Sequence, residues 1–436
     1  MKNKTYVTVS LGCKVNSYEI DSLKTKLEEA GYLPALVSDK VSVALINTCS
    51  VTSNADRKSR QQIRRLAKKF PDATLVVMGC YSQINRELAV TIPEIDIMLG
   101  TSKRNNIIKH LETFSENKTQ IIDIDDDSRT FSYEELKTIG RPEQKRAYLK
   151  IQDGCDQFCT FCIIPLTRGK LRSRAESEII NEAKELVESG YKEIVLTGIH
   201  TGAYGVDLKT TNLTKLVKEI LSAVPKLYKL RISSIEANQV TDELLEIMET
   251  DERLARHLHI PLQAGSDEIL RRMNRKYTTG EFITMIQKIR EKAPNVAITT
   301  DVIVGFPGET EALFAETVAF IKAVNFSELH VFPYSMRTRT PAATFKEHVA
   351  PQEKKNRVQT LLKLSNELNE SYSNKFIGKK VKVLVETYDE TLKLYKGHTS
   401  NYLEVLIESK EELENEVVTV TFNGYKQVSY LDSVVK

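Results

Sequence analysis

The sequence predicts an α/β chain in three parts: an N-terminal open parallel α/β sheet, a central partial (β/α)6 barrel and a small C-terminal antiparallel β-barrel. Three observations predict it. Short apolar runs alternate with amphipathic stretches through most of the 436 residues, the pattern of parallel strands joined by helices. A charged, weakly periodic stretch over 115–146 divides that series in two. After Gly378 the pattern changes to short alternating strands separated by turns. A chain of this length supports two or three domains, placed here at 1–125, 141–370 and 372–436.

The first part reads strand by strand. "TYVTVSLGC" is an apolar strand, and "NSYEIDSLKTKLEEAGY" is a helix ending near Gly31. "VSVALINTC" is the second strand, followed by the helix "NADRKSRQQIRRLAKKF", which Pro71 stops. "ATLVVMGC" and "IDIMLGT" are the third and fourth strands. The first three strands end in Cys13, Cys49 and Cys80. Ligands of open α/β sheets bind at the carboxyl ends of the strands, so these cysteines converge on one crevice. Each precedes a helix, whose free N–H groups and partial positive charge suit an anionic, thiolate-ligated cluster. Buried structural cysteine is the plain alternative. No further cysteine falls in this part.

The second part starts at "RAYLKIQDGC" and continues through the strands "EIVLTG", "KLRISS", "HLHIPLQ", "AITTDVIVGF" and "ELHVFPYS". Helical stretches separate them, which implies a parallel barrel or an open fraction of one, with function at the strand carboxyl ends. "DGCDQFCTFCIIP" spaces Cys155, Cys159 and Cys162 as C-x3-C-x2-C. A structural zinc takes four protein ligands, and the fourth would have to be a histidine such as His200, His257 or His259. An iron–sulfur cube also takes four cysteines when it only transfers electrons. Three cysteines on a cube leave one iron open for substrate or cofactor. Phe158 and Phe161 would screen such a loop from water.

Residues 350–375 read as one helix with an apolar stripe of Val358, Leu361, Leu362 and Leu368. "KKVKVLVET", "LKLYKGHT", "YLEVLIE" and "EVVTVTFNGYK" then build the small barrel.

Composition narrows the classes. With 41% hydrophobic and 28% charged residues the chain can bury a large core, which excludes disorder. No apolar run approaches ~18 residues, so no transmembrane helix and no membrane partner are expected. Polar residues interrupt the start, so no signal peptide is expected. A cytoplasmic location follows, where cysteines serve as ligands more readily than as disulfides. The net charge of +3 neither demands nor excludes a nucleic-acid partner. Positive charge is local. Arg57, Lys58, Arg60, Arg64, Arg65, Lys68 and Lys69 share one helix with Asp56 as the lone acid. With Arg168, Lys170, Arg172, Arg174, Arg337 and Arg339 they are candidate phosphate contacts. Residues 372–436 hold nine Lys, no Arg and ten acidic residues. Any RNA contact there rests on one face with Lys379, Lys380, Lys382, Lys393 and Lys396, together with Tyr395, Tyr402 or Tyr425.

The C-x3-C-x2-C loop, with an aromatic before its last cysteine and at the end of the first barrel strand, resembles the radical S-adenosylmethionine (SAM) superfamily. That resemblance implies a [4Fe-4S] cluster on Cys155, Cys159 and Cys162 whose open iron chelates SAM. Electron transfer then yields a 5′-deoxyadenosyl radical. It also implies SAM contacts at Phe161, at Gly198 in "LTGIH", at Ser234 and Glu236 in "RISSIEA", at Gln263 in "HIPLQAGSD" and at Gly305 in "DVIVGFPGET". Arg174 would hold the SAM carboxylate, although its segment departs from the family's "SRP" to "SRA".

The resemblance narrows further. "LGCKVNSYE", "INTCSVTSNAD" and "VVMGCYSQ" are similar to the N-terminal module of the methylthiotransferases. "YSMRTRTPAA" is similar to their linker, and the last segment to their TRAM domain, an RNA-binding β-barrel. "LTGIHTGAYG" and "HLHIPLQAGSDEILRRMNRKYT" look most like the branch acting on N6-threonylcarbamoyladenosine (t6A) in tRNA. This implies a second [4Fe-4S] cluster on Cys13, Cys49 and Cys80, and methylthio transfer to C2 of t6A at position 37. It also implies a reductant such as flavodoxin or ferredoxin. The branches acting on isopentenyladenosine or on a ribosomal-protein aspartate stay open, as does an iron–sulfur RNA-binding regulator without catalysis.

Overall fold

The computed structural model describes residues 4–37, 40–138 and 145–435. The expected domain limits at 1, 141 and 436 lie outside the described residues.

Six strands form the first sheet: β1 (Lys4–Ser10), β2 (Tyr32–Pro34), β3 (Val43–Thr48), β4 (Thr74–Gly79), β5 (Ile97–Leu99) and β6 (Ile121–Asp123). All pair in parallel, in the order β2-β1-β3-β4-β5-β6. Both faces are covered, which is why β3 and β4 read as unbroken apolar runs. Val43 and Leu45 face the helices Lys14–Glu29 and Ile107–Asn117, while Ala44 and Ile46 face the helix Ser53–Lys69. The sheet has two more strands than expected. β2 and β6 are three-residue edge strands, and β6 lies inside the stretch that reads as a linker.

The second region holds β7 (Arg146–Lys150), β8 (Gln152–Asp153), β9 (Arg172–Ser173), β10 (Glu193–Thr197), β11 (Lys229–Ile232), β12 (His257–His259), β13 (Ala297–Val304) and β14 (Glu328–Pro333). Parallel pairing links β7, β10 and β11, and separately β12, β13 and β14. Leu230 N donates to Arg253 O at 2.7 Å and Ala255 N to Leu230 O at 2.8 Å, which ties β11 to the segment before β12 and sets the two three-stranded sheets side by side. The helix Lys14–Glu29 of the first region packs against β7, at one margin of this partial barrel.

The helix Pro351–Asn374 lays Leu361, Leu364 and Leu368 into the barrel core. It leads to a closed barrel of β15 (Lys380–Asp389), β16 (Leu394–Thr399), β17 (Glu404–Ile407), β18 (Val417–Thr421) and β19 (Val428–Val434). β19 is additional to the four expected strands. It pairs antiparallel with β18 and parallel with β17, which closes the barrel. Among the described residues no helix is long and apolar enough to cross a membrane.

Candidate active site and cysteine centres

The loop carrying Cys155, Cys159 and Cys162 follows β8. Gly154 enters it at φ +71°, and a Cβ there would collide with the Lys170 carbonyl. Cys155 N bonds Gly169 O at 3.1 Å, Cys162 N bonds Cys159 O at 3.0 Å, and Thr160 N bonds Met273 O at 3.0 Å. Asn274 Nδ2 holds Phe158 O at 2.9 Å. The loop is thus fixed by backbone bonds without a sheet. Phe161 lies edge-on to Phe306, with ring centroids 6.4 Å apart. Phe158 does not screen the loop as expected: its ring is 59% exposed.

All three thiols line one cavity of about 230 Å³. Phe161, Ser234, Glu236 and Gln263, for which the resemblance implies SAM contacts, line it too. Gln263 holds a left-handed φ of +67°, a costly conformation for a side chain of this kind. His200, Arg275 and Asp301 also line the wall. Arg275 falls within the segment "HLHIPLQAGSDEILRRMNRKYT", but nothing in its spacing singles it out. Asp301 leaves a signal, the one acid inside an apolar strand run. Arg275 Nη2 bonds both oxygens of Glu236, at 2.7 and 2.5 Å, and its Nη1 reaches Cys159 Sγ at 3.4 Å. Burial pushes the Cys155 thiol up to about 11 and the Cys162 thiol up to about 12. Both are protonated near neutrality, so a metal must displace their protons on binding.

Three predicted contacts lie elsewhere. Gly198 and Gly305 are not on the cavity wall. A Cβ at Gly198 would stand 2.9 Å from Gln152 Oε1, and one at Gly305 would collide with the Lys354 side chain. Arg174 is fully buried away from the thiols. Its Nη1 bonds Glu182 at 2.5 Å and its Nε bonds Glu135 at 2.8 Å, so it fastens the segment before β7 to the helix Glu176–Glu188.

The donor set fits an iron–sulfur cube better than a zinc ion. Among the described residues no three His, Cys, Asp or Glu side chains gather as ligands of one metal ion would. His200 Nδ1 is 3.9 Å from Cys155 Sγ, and its Nε2 is engaged by Gln239 at 3.0 Å. A cube presents each thiolate to a different iron, so its ligands share a cavity rather than converge on one ion, and these three line one cavity.

A second cavity of about 250 Å³ shares Phe161, Gln263 and Asp301 with the first. Its far wall includes Val51 and Thr52, just after Cys49, and Tyr334 and Ser335, just after β14. The space in front of one cysteine set therefore runs toward the other.

The N-terminal cysteines sit at the carboxyl ends of three neighbouring strands. Cys13 caps the helix Lys14–Glu29, Cys49 follows β3, and Cys80 opens the helix Cys80–Ile84 after β4. Gly12 has φ +99°, and a Cβ there would stand 2.7 Å from Cys49 Sγ. Cys49 and Cys80 are buried, and burial pushes the Cys49 thiol up to about 12. Cys13 is exposed, yet crowding by protein atoms raises its thiol as well. Cys80 Sγ accepts a hydrogen bond from Arg168 Nε at 3.3 Å.

That bond corrects one expectation. Arg168 is not available to RNA: it is fully buried and bonds Glu19 at 2.8 Å, Asn16 at 2.8 Å and Asp153 at 3.1 Å. Arg104 and Lys150 pair with Glu19, Arg104 also pairs with Glu134, and Arg172 lies 3.6 Å from Asp153. Burial opposes the charge on Glu19, but Arg104, Arg168 and Lys150 hold its carboxyl well below the usual range. Arg337 is likewise buried, bonding Asp56 and Ser50 at 2.6 Å each. Arg60 is half-buried on Tyr81, whose hydroxyl it meets at 2.7 Å. Arg57 and Arg64 are exposed, and so is Lys380, 3.9 Å from Asp432.

Comparison with known proteins agrees with this architecture. Residues 149–321 match the Radical SAM superfamily, and residues 5–100 match the uncharacterized protein family UPF0004. The first implies a [4Fe-4S] cluster and SAM. The chain is 44% identical over 414 residues to the threonylcarbamoyladenosine tRNA methylthiotransferase MtaB of Bacillus subtilis, covering 94% of this chain and 92% of that one. It is 33% identical over 443 residues to the tRNA-2-methylthio-N(6)-dimethylallyladenosine synthase of Acetivibrio thermocellus, covering 100% and 92%. A likeness of fold alone joins it to the radical SAM methyltransferase TsrM of Kitasatospora setae, with TM-score 0.58 and 15% identity over 78% of this chain and 77% of that one. The extent of these matches makes this chain an enzyme of the radical SAM methylthiotransferase family.

Proposed function

We propose that this enzyme transfers a methylthio group to C2 of t6A at position 37 of tRNA, giving ms2t6A, with two [4Fe-4S] clusters and SAM. The observation that carries the reading is the 44% identity to MtaB along 94% of the chain. The shared wall of the two cavities supports it, because sulfur delivery and radical formation must meet at one carbon. In this reading residues 1–125 carry the second cluster, 141–370 the radical chemistry and 372–436 an RNA-binding barrel.

When bound, the clusters and SAM supply the radical that removes the C2 hydrogen and the methylated sulfur that replaces it. The protein holds and screens them. Cys155, Cys159 and Cys162 are the ligands on the barrel side, and Cys13, Cys49 and Cys80 those on the sheet side. Ser234, Glu236 and Gln263 offer polar groups to SAM beside the first set, and Phe161 closes the pocket against water. Arg57 and Arg64 are exposed cations placed to meet phosphate, and Lys380 is exposed beside Asp432. The reaction belongs in the cytoplasm, with a flavodoxin or ferredoxin as reductant.

Mass spectrometry of tRNA nucleosides tests the reading. A strain lacking the gene loses ms2t6A and accumulates t6A, and the gene restores it. Unchanged ms2t6A would contradict the proposal, and loss of methylthiolated isopentenyladenosine instead would move the substrate to the other branch.

A further inference from the structure

We propose that Arg168 is a positioning residue for the iron–sulfur group on Cys13, Cys49 and Cys80, raising its reduction potential through an N–H···S bond to Cys80. The inference rests on the reading that these cysteines hold a cluster.

The direction of that bond is fixed by the rest of the side chain. Nη1 is held by Glu19 and Asp153, and Nη2 by Asn16. The Arg168 carbonyl accepts from Arg172 Nη1 at 2.6 Å. With both terminal nitrogens engaged, Nε has one remaining partner, the Cys80 sulfur at 3.3 Å. The planar guanidinium cannot turn away without breaking bonds to two buried carboxylates.

Charge acts in the same sense. The linked pairs round Arg168 set four cations against three carboxylates, leaving one positive charge in the network whose Arg168 touches Cys80. A donated hydrogen bond and a fixed positive charge both favour the more negative, reduced state of a thiolate-ligated group, and hydrogen bonds to sulfur are a recognised lever on its potential.

The arginine is also anchored in the other centre. It ends the helix Ile164–Arg168, which begins two residues after Cys162, and its partner Asp153 stands two residues before Cys155. An arginine kept only to latch the two regions together would need no donor aimed at sulfur.

Redox titration followed by electron paramagnetic resonance separates these roles. The background is full-length protein with Cys155, Cys159 and Cys162 replaced by Ala, reconstituted anaerobically. Arg168→Lys keeps the charge and loses the Nε–H. We expect about four irons per chain in parent and variant alike, with the midpoint potential lower in Arg168→Lys and lower again in Arg168→Gln. In the opposite background, with Cys13, Cys49 and Cys80 replaced, Arg168→Lys should leave the potential unmoved. Equal potentials in the first background, or equal shifts in both, would overturn the inference. A parent that binds no iron would overturn the two-cluster reading itself, and the inference with it. Pulsed resonance of the parent carrying 15N-labelled arginine needs no substitution: a weak nitrogen coupling to the cluster is expected, and its absence contradicts the bond.

Discussion

Arg275 grips Glu236 through one nitrogen, with Nη2 at 2.7 and 2.5 Å from the two carboxylate oxygens, on the wall of the cavity that holds Cys159. The side chains are only 6% and 15% exposed. Removing one partner of a desolvated pair strands the other charge, at a cost of about 3–5 kcal/mol. Arg275→Met should therefore lower the unfolding free energy by at least about 3 kcal/mol in a urea titration. The double variant with Glu236→Leu should recover part of that loss. A single variant as stable as the parent would contradict the pairing.

Gly12 is constrained twice, by φ +99° and by the Cys49 sulfur 2.7 Å from where its Cβ would lie. Gly12→Ala should empty the sheet-side centre and spare the other. Iron should fall from about eight to about four per chain, with reductive SAM cleavage retained. Full iron content in the variant would show that the loop tolerates a side chain there.

Stability should depend on acid in a defined direction. Burial works against ionisation of Glu19 and Asp153, but the cations round them win, and both carboxyls lie below their ordinary values of 4.5 and 3.8. The folded chain thus binds fewer protons than the unfolded one. The stabilisation is complete above those ordinary values and is lost as pH falls through and below them. Thermal melting of the iron-free protein should drop steeply below about pH 4.5. Glu19→Gln should melt lower at neutral pH and lose less on acidification. A parent whose melting is flat in that window would contradict the network.

Binding of tRNA should separate the exposed cations from the buried ones. Arg57→Glu with Arg64→Glu should weaken affinity by about tenfold or more and flatten its salt dependence, at about 0.9 of logarithmic slope for each phosphate no longer neutralised. Melting should be unchanged. Unaltered affinity and slope would remove the helix Ser53–Lys69 from the RNA surface.

What is legible in the sequence is what spacing and period carry. Cys155, Cys159 and Cys162 lie within one loop, and β3 and β4 are buried on both faces, so their signals are local. β2 and β6 are three residues long and show no period. The fates of the arginines are hidden for another reason. Arg is exposed by default, and what buries Arg168 is Glu19, 149 positions away; what buries Arg337 is Asp56, 281 positions away. Glu19 and Lys150 leave a faint trace, as charged residues inside apolar patterns, which a paired core explains.

Iron and acid-labile sulfide per chain, after anaerobic reconstitution, test most directly the claim that two cysteine triplets flank one reaction space. The account predicts about eight irons in the native sequence and about four in each triple variant, Cys13/Cys49/Cys80→Ala and Cys155/Cys159/Cys162→Ala. Only the variant retaining Cys155, Cys159 and Cys162 should cleave SAM. About four irons in the native sequence, or a triple variant that keeps the full complement, would contradict it.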